Sequence, residues 1–445
     1  MLKSLAEQFR FLFYQQQAGG LAQRLLNAGA ISLIAKFSEV ILGLLLVVIL
    51  ARGLGAAGVG VYAFVLALVS LLAVPVRMGL PPLVVRETAR GQANHDWAPV
   101  RGLWRWTHGM ALLLSLLVIT GIGLVIGLGV VQDEMLRRTL LWGVWLIPLR
   151  ALIGIRSAAL RGLRHVLAGI VPDQIIRPAL LVAFISVALL VPAFELSPAS
   201  AMGLTVLSAL LVFLLGAWLL YRARPASLVA VAPIYQPRVW LAAAWPLALT
   251  QGFQQINRYA DVLLLGMLAA TADVGIYRVA AQGASLVSLG LMALNMVTAP
   301  FITRLHAQEE QYKLQKLARR TAQAALAFAL LAVAVFAVLG KWLLVTLFGS
   351  EFSAAYWPLL ILAMGQLLNA GFGATGLLLN MTGHERDVTR VVAVAAGMNV
   401  LLNLALIPLF GVIGAAVATS VSLVFWNIRL WFVVRWRLGI RSSAI

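Results

Sequence analysis

Five polar residues fall on one side of an otherwise apolar stretch at 246–277: Gln251, Gln254, Gln255, Arg258 and Asp261. At about 100° per residue they share a sector of roughly 120° on a helical wheel. A charge at mid-bilayer costs about 2.5–3.5 kcal/mol even on lenient insertion scales, so this face should look into protein or water. Ionisable groups inside such a helix serve binding or ion passage by default; the plainer alternative is an Arg258–Asp261 pair that only neutralises itself. A second face lies in 28–51, where Gly29, Ser32, Lys36, Glu39 and Gly43 fall within about 60° of one another. More cations interrupt apolar runs: Arg77 among Pro75, Gly79, Pro81 and Pro82; Arg150 after Pro148; Arg177 between Asp173 and Pro178. Arg278, Gln282 and Ser285 add a stripe of their own. Covalent chemistry is poorly provided for. There is no cysteine, and the five histidines form no HxxxH or HExxH pair, so no metal or cofactor site is expected. GFGATG at 371–376 lacks the Lys-Ser/Thr ending of a phosphate loop.

The elements that position these groups are membrane spans. Of 445 residues, 62% are hydrophobic and 11% charged, and long apolar runs recur along the whole chain. The expected fold class is an all-α polytopic membrane protein. Twelve spans are predicted: 28–51, 59–82, 106–131, 136–160, 166–191, 199–221, 239–268, 273–303, 319–347, 354–381, 388–409 and 412–434. The net charge of +19 would point to nucleic acid in a soluble protein. Here the arginines cluster in short connections, so topology and anionic lipid account for them. Residues 1–27 show no signal-peptide pattern. Leu2, Leu5, Phe9, Leu12 and Phe13 could form the apolar side of a surface helix edged by Lys3 and Arg10; a frayed tail fits as well.

Connections after even-numbered spans are basic, carrying Arg86, Arg90, Arg101 and Arg105, then Arg222, Arg224 and Arg238, then Arg304, Lys313, Lys316, Arg319 and Arg320. Odd connections are short and poor in Lys and Arg, which places both termini in the cytoplasm. The expected division is a cytoplasmic segment 1–27, a first lobe 28–221, a linker 222–238 with three prolines, a second lobe 239–434 and a tail 435–445. The lobes are related. Val59-Gly60-Val61-Tyr62 matches Val274-Gly275-Ile276-Tyr277 at an offset of 215, which also lays Lys36 on Gln251 and Glu39 on Gln254. Six spans per half give parallel repeats about an axis along the membrane normal, around a central cavity. Pro75, Gly79, Pro81 and Pro82 predict a bent or broken second span.

Several stretches resemble the polysaccharide flippases of the MOP (multidrug/oligosaccharidyl-lipid/polysaccharide) exporter superfamily, in the branch for O-antigen and exopolysaccharide repeat units. They are LARGLGAAGVGVYAFVLALVSLL at 50–72, NRYADVLLLG at 257–266, VGIYRVAA at 274–281 and TGHERDVTRVVAVAAGMNVLLNLALIPLFGVIGAAVATSVS at 382–422. The resemblance implies two six-helix lobes and movement of undecaprenyl-diphosphate-linked oligosaccharide across a bacterial plasma membrane by alternating access. It implies a lipid-linked oligosaccharide and membrane lipids as partners, extends to polysaccharide polymerase and chain-length machinery, and implies no nucleic acid. Lys36, Arg77, Arg150, Arg177, Arg258 and Arg278 would then offset the diphosphate charge, since guanidinium forks suit phosphate oxygens. Gln251, Gln254 and Asp261 would hydrogen-bond sugar hydroxyls. Glu39 and Asp261, each beside a cation, are the carboxylates through which a Na⁺ or H⁺ gradient would couple.

Three other readings compete. A multidrug or cation antiporter of the same superfamily would want more cavity carboxylates than Glu39, Asp173 and Asp261. A lipid II flippase would carry two further helices. A membrane glycosyltransferase or polymerase would need outer-face acids, and Asp133-Glu134 is the one acidic pair in the outer connections, better read as a helix start. The chain is therefore expected not to be an enzyme.

Overall fold

The computed structural model describes residues 21–192 and 194–444, so most of the expected surface segment 1–27 lies outside the described residues. The described chain opens with helices α1 (Leu21–Arg77), α2 (Leu80–Asn94), α3 (Ala98–Gly127), α4 (Glu134–Gly143), α5 (Leu146–Gly162) and α6 (Val166–Val171). One π turn, Pro172–Ile176, leads into α7 (Arg177–Leu190), followed by α8 (Pro198–Ala223) and the short α9 (Ala226–Ala230). The remainder holds α10 (Pro237–Leu268), α11 (Thr271–Ser285), α12 (Leu289–Ala307) and α13 (Gln311–Phe348). It ends with α14 (Tyr356–Phe372), α15 (Thr375–Met381) and α16 (Glu385–Leu438). No strand occurs among the described residues, and the fold is an all-α polytopic membrane protein.

Among the described residues, nine helical stretches are long and apolar enough to cross a membrane, against twelve expected spans. Much of the difference is physical. Helix α1 is broken at Gly55 (φ 67, ψ −178) and α16 at Gly411 (φ 54, ψ −128), so each counts once although two helices meet there. Glycine takes such left-handed backbone without a Cβ clash. Helix α10 is not among the nine, because its glutamines, Arg258 and Asp261 dilute its apolar character.

The proline-rich end of the second expected span is a clean break. Helix α1 stops at Arg77, Met78 (φ 38) and Gly79 (φ 67) turn the chain, and Pro81 and Pro82 lie in the first turn of α2. Prolines are tolerated there because first-turn N–H groups have no intrahelical acceptor. Gly79 is also tight: a Cβ would sit 2.6 Å from the Ala244 carbonyl oxygen.

The chain folds as two compact units. The first takes the described residues up to Gly43, Leu72–Val187 and Ala201–Gln251; the second takes Leu44–Leu71, Ala188–Ser200 and Gly252 onward. In the first, α2 packs along α5, with Leu80, Leu83, Ile147, Ile155 and Leu160 fully buried. Gly162 permits the approach, since a Cβ there would lie 2.6 Å from Thr88 Cβ. The expected linker is pinned to this unit, with Ile234 N–H donating to the Ala98 carbonyl at 3.0 Å.

In the second unit α14 packs on α13 and α16. Ile302, Leu314, Leu378, Leu379, Leu430 and Val434 form a core that the chain end joins through Ile440. Ala444 N–H then donates to the Gly371 carbonyl at 2.9 Å. Lipid solvates apolar side chains already, so such contacts hold by fit more than by water exclusion.

Candidate functional site

Three of the expected arginines gather in the first unit around a carboxylate. Neither Pro172 nor Pro178 has an N–H, so the regular helical ladder cannot be completed across 172–178. The π turn absorbs this, with Arg177 N–H donating to the Pro172 carbonyl five residues back. One turn further, Arg177 Nε donates to Asp173 Oδ1 at 2.7 Å, both side chains being half-buried. Arg77 Nη2 reaches the Arg150 carbonyl at 3.5 Å. Arg177, Arg150 and Arg77 all lie within electrostatic reach of the Asp173 carboxylate. One guanidinium bonded to the carboxylate and two more within its electrostatic reach leave a net positive cluster. A net positive group of this kind suits an anion with several oxygens, while the carboxylate limits the mutual repulsion of the arginines. Sequence reasoning counted Asp173 among the cavity carboxylates but gave it no binding role; its i,i+4 spacing to Arg177 was the available signal.

Lys36 and Glu39 lie in the same unit and pair with each other at 2.7 Å. Gln251 is half-buried where the first unit's share of α10 ends.

The remaining expected residues lie in the second unit, and the structure changes how Asp261 is understood. The residue is only 6% exposed and packed inside the unit. Tyr277 O–H and Thr419 O–H both donate to Oδ2, Thr419 at 3.3 Å, and Val262 N–H donates to Oδ1 at 2.9 Å. Tyr277 and Thr419 also touch each other at 3.1 Å. No ion pair joins Arg258 to Asp261 among the described residues. The self-neutralising pair is therefore absent. Gln254 and Arg258 are exposed one turn apart on α10, and Arg278 is half-buried on α11. Nearby, Asn257 Nδ2 donates to the Val392 carbonyl at 3.2 Å, tying α10 to α16. Tyr277 was legible as part of the repeated motif, whereas Thr419 carried no sequence signal.

The repeated motif has a spatial counterpart. Gly60 of α1 and Gly275 of α11 face each other within the second unit. A Cβ on Gly60 would strike the Thr271 carbonyl, and one on Gly275 would strike the Ala56 carbonyl. Each added Cβ would also lie 3.2 Å from the other glycine's nitrogen. Two matched motifs thus cross at their smallest residues, as closely packed membrane helices do. Charged groups clasp the same hairpin. Glu351 Oε2 accepts from Ala56 N–H at 2.9 Å, just past the Gly55 break. Arg52 Nε donates to the Leu347 carbonyl at 3.0 Å, and Arg52 Nη2 donates to the Thr346 carbonyl. A carboxylate on freed N–H groups and a cation on the last carbonyls of α13 both complement helix dipoles.

This many-span helical fold can be compared with known proteins. The polysaccharide biosynthesis protein family matches residues 25–306, and the MatE family matches residues 246–405. The chain belongs to the polysaccharide biosynthesis protein family. Two relatives from Haloferax volcanii are similar to it. One, a probable low-salt glycan biosynthesis flippase, is 26% identical over 164 residues, 37% of this chain and 35% of that protein. The other, a probable flippase, is 29% identical over 173 residues, 38% of this chain and 36% of its own length. The alignments thus span about a third of these curated relatives. Among solved structures, the lipid II flippase MurJ in an inward closed conformation gives a TM-score of 0.73 at 14% identity, covering 90% of this chain and 87% of that one. An inward-facing multidrug resistance MATE family transporter of the MOP superfamily gives 0.74 at 13%, covering 92% and 98%. At these identities the likeness is one of fold.

Proposed function

We propose that this chain flips a polyprenyl-diphosphate-linked oligosaccharide from the cytoplasmic to the outer leaflet of the plasma membrane, by alternating access through a cationic cavity. The observation that carries the reading is the Arg177–Asp173 pair with Arg150 and Arg77 around it, on helices apolar enough to span lipid. Such a cluster offsets a diphosphate, and family membership favours a glycan cargo. Undecaprenyl is the carrier we assign in a bacterial host, with twelve passes and both termini cytoplasmic. A polysaccharide polymerase and its chain-length partners would take the product. No bond is made or broken, so the activity is transport without a chemical step.

Deleting the gene should make the lipid-linked glycan accumulate on the cytoplasmic face, where added outer-face glycosidase cannot reach it in intact spheroplasts. Normal outer-face exposure in the deletion strain would refute the assignment.

Coupling to an ion gradient is a further part of the proposal. The MatE match over 246–405 covers Asp261, and the two hydroxyls on that carboxylate could be exchanged for a proton or Na⁺ ligand shell. Asp261→Asn should reduce gradient-driven transport at least tenfold, with normal protein levels, while leaving slow equilibration down the glycolipid's own gradient. Equal loss of both would make Asp261 a packing residue. Glu39, bound to Lys36, is the lesser candidate.

A further inference from the structure

The first unit contains a cavity that the transport reading does not use. It has a volume of about 340 Å³ and lies between α3, α5, α8 and the segment after α8. Arg101, Arg105, His108, Arg156 and Arg224 line it with Trp104, and no Asp or Glu is among its lining residues.

Two of these arginines are held in place by neutral partners. Arg101 Nη1 donates to the Val229 carbonyl at 2.7 Å and also to the Val231 carbonyl. Arg156 Nη1 donates to the Phe213 carbonyl at 3.0 Å, and its guanidinium lies 3.6 Å from the centre of the Phe213 ring. Carbonyls and rings orient a guanidinium without cancelling its charge. Arg224 stacks at 4.1 Å over Tyr221, and both Arg224 and Arg105 are exposed. Four guanidiniums converging without a counter-charge repel one another, and an anion with several oxygens relieves this through fork-like hydrogen bonds.

The rest of the lining selects the kind of anion. Leu220 and Leu228 form a buried apolar part of the wall. Trp218 and Leu214 on α8 are about half exposed, giving acyl chains an apolar surface beside the cations. A basic pocket between spans, beside an apolar wall and ringed by Trp104 and Tyr221, has the make-up of a head-group site at a membrane interface.

We propose that this cavity binds the phosphate of an anionic phospholipid of the cytoplasmic leaflet. The side assigned rests on the topology proposed above; binding itself does not depend on what the protein transports. The site would hold α3, α8 and the 222–238 linker together at the membrane surface through one lipid head group.

The test is native mass spectrometry of the purified full-length protein, titrated with phosphatidylglycerol, cardiolipin or phosphatidylethanolamine. The unmodified protein should retain phosphatidylglycerol or cardiolipin at least fivefold better than phosphatidylethanolamine. Arg105→Gln combined with Arg224→Gln should reduce that preference at least fivefold without lowering thermal stability, since both side chains are exposed. Arg105→Lys with Arg224→Lys should retain part of it. Millimolar inorganic phosphate should displace no lipid; displacement would assign the site to a soluble phosphate and overturn the lipid reading. Equal retention of all three lipids by the unmodified protein, or an unchanged preference in the Gln variant, would overturn it too.

Discussion

Gly60→Val and Gly275→Val should each reduce transport to background while the protein still inserts into the membrane. At both positions the atom in the way is a backbone carbonyl oxygen, of Thr271 for Gly60 and of Ala56 for Gly275. A side chain can rotate out of a clash; a carbonyl inside a helix cannot without moving the helix. Overpacking typically costs about 1–3 kcal/mol, and a backbone clash at a helix crossing belongs at the upper end. The hairpin at 44–71 would then separate from α11, and the Arg52 and Glu351 contacts would open with it. Controls are at hand, because a Cβ on Gly109, Gly121 or Gly397 meets nothing within 4 Å. Alanine at those sites should leave transport unchanged. Glycan export in a deletion strain, read beside membrane levels of each variant, makes the comparison. Full activity in both valine variants would show that the crossing is incidental to function.

The second large effect concerns the arginine cluster. Arg177→Ala should lower transport by about tenfold to a hundredfold. A hydrogen bond to a charged group is worth about 1.5–3 kcal/mol, and each 1.4 kcal/mol is a factor of ten. Arg177→Lys should lose less, because the charge stays and the fork goes. The variant that separates binding from packing is Asp173→Asn. It removes one negative charge near Arg77, Arg150 and Arg177, so the glycolipid should bind more tightly and turn over more slowly. A structural cluster would behave otherwise. Asp173→Asn and Arg177→Ala would then destabilise the protein alike, with neither raising affinity, and the binding role would fail.

The fold class was plain in the sequence because apolar runs the length of a bilayer have few other uses. The sequence also placed span boundaries at 52–58 and 410–411, and the left-handed Gly55 and Gly411 break α1 and α16 there. The prolines after Pro75 announced an interruption, yet only the left-handed Met78 and Gly79 reveal that one helix ends and another begins. Helical-wheel reasoning located Asp261 but did not identify its partners. Its partners Tyr277 and Thr419 lie 16 and 158 residues away along the chain, beyond the reach of any local period. Asp173 and Arg177 lie inside the predicted span 166–191 and could have been paired from their i,i+4 spacing, although Pro172 and Pro178 interrupt the regular ladder there. The π turn reconciles the two. The 215-residue repeat was legible as sequence, while the meeting of its two glycines needed coordinates.

The most direct measurement is translocation by the purified protein in liposomes. A fluorescent polyprenyl-diphosphate oligosaccharide is placed in both leaflets, and dithionite added outside reports how fast the inner pool becomes accessible. The account predicts bleaching to near completion with the unmodified protein. It predicts that only the outer half bleaches in protein-free liposomes or with the variant that replaces Arg77, Arg150 and Arg177 together by alanine. Bleaching confined to the outer half with active, correctly folded protein would contradict the flippase assignment, all the more if the same liposomes exchanged an organic cation for protons.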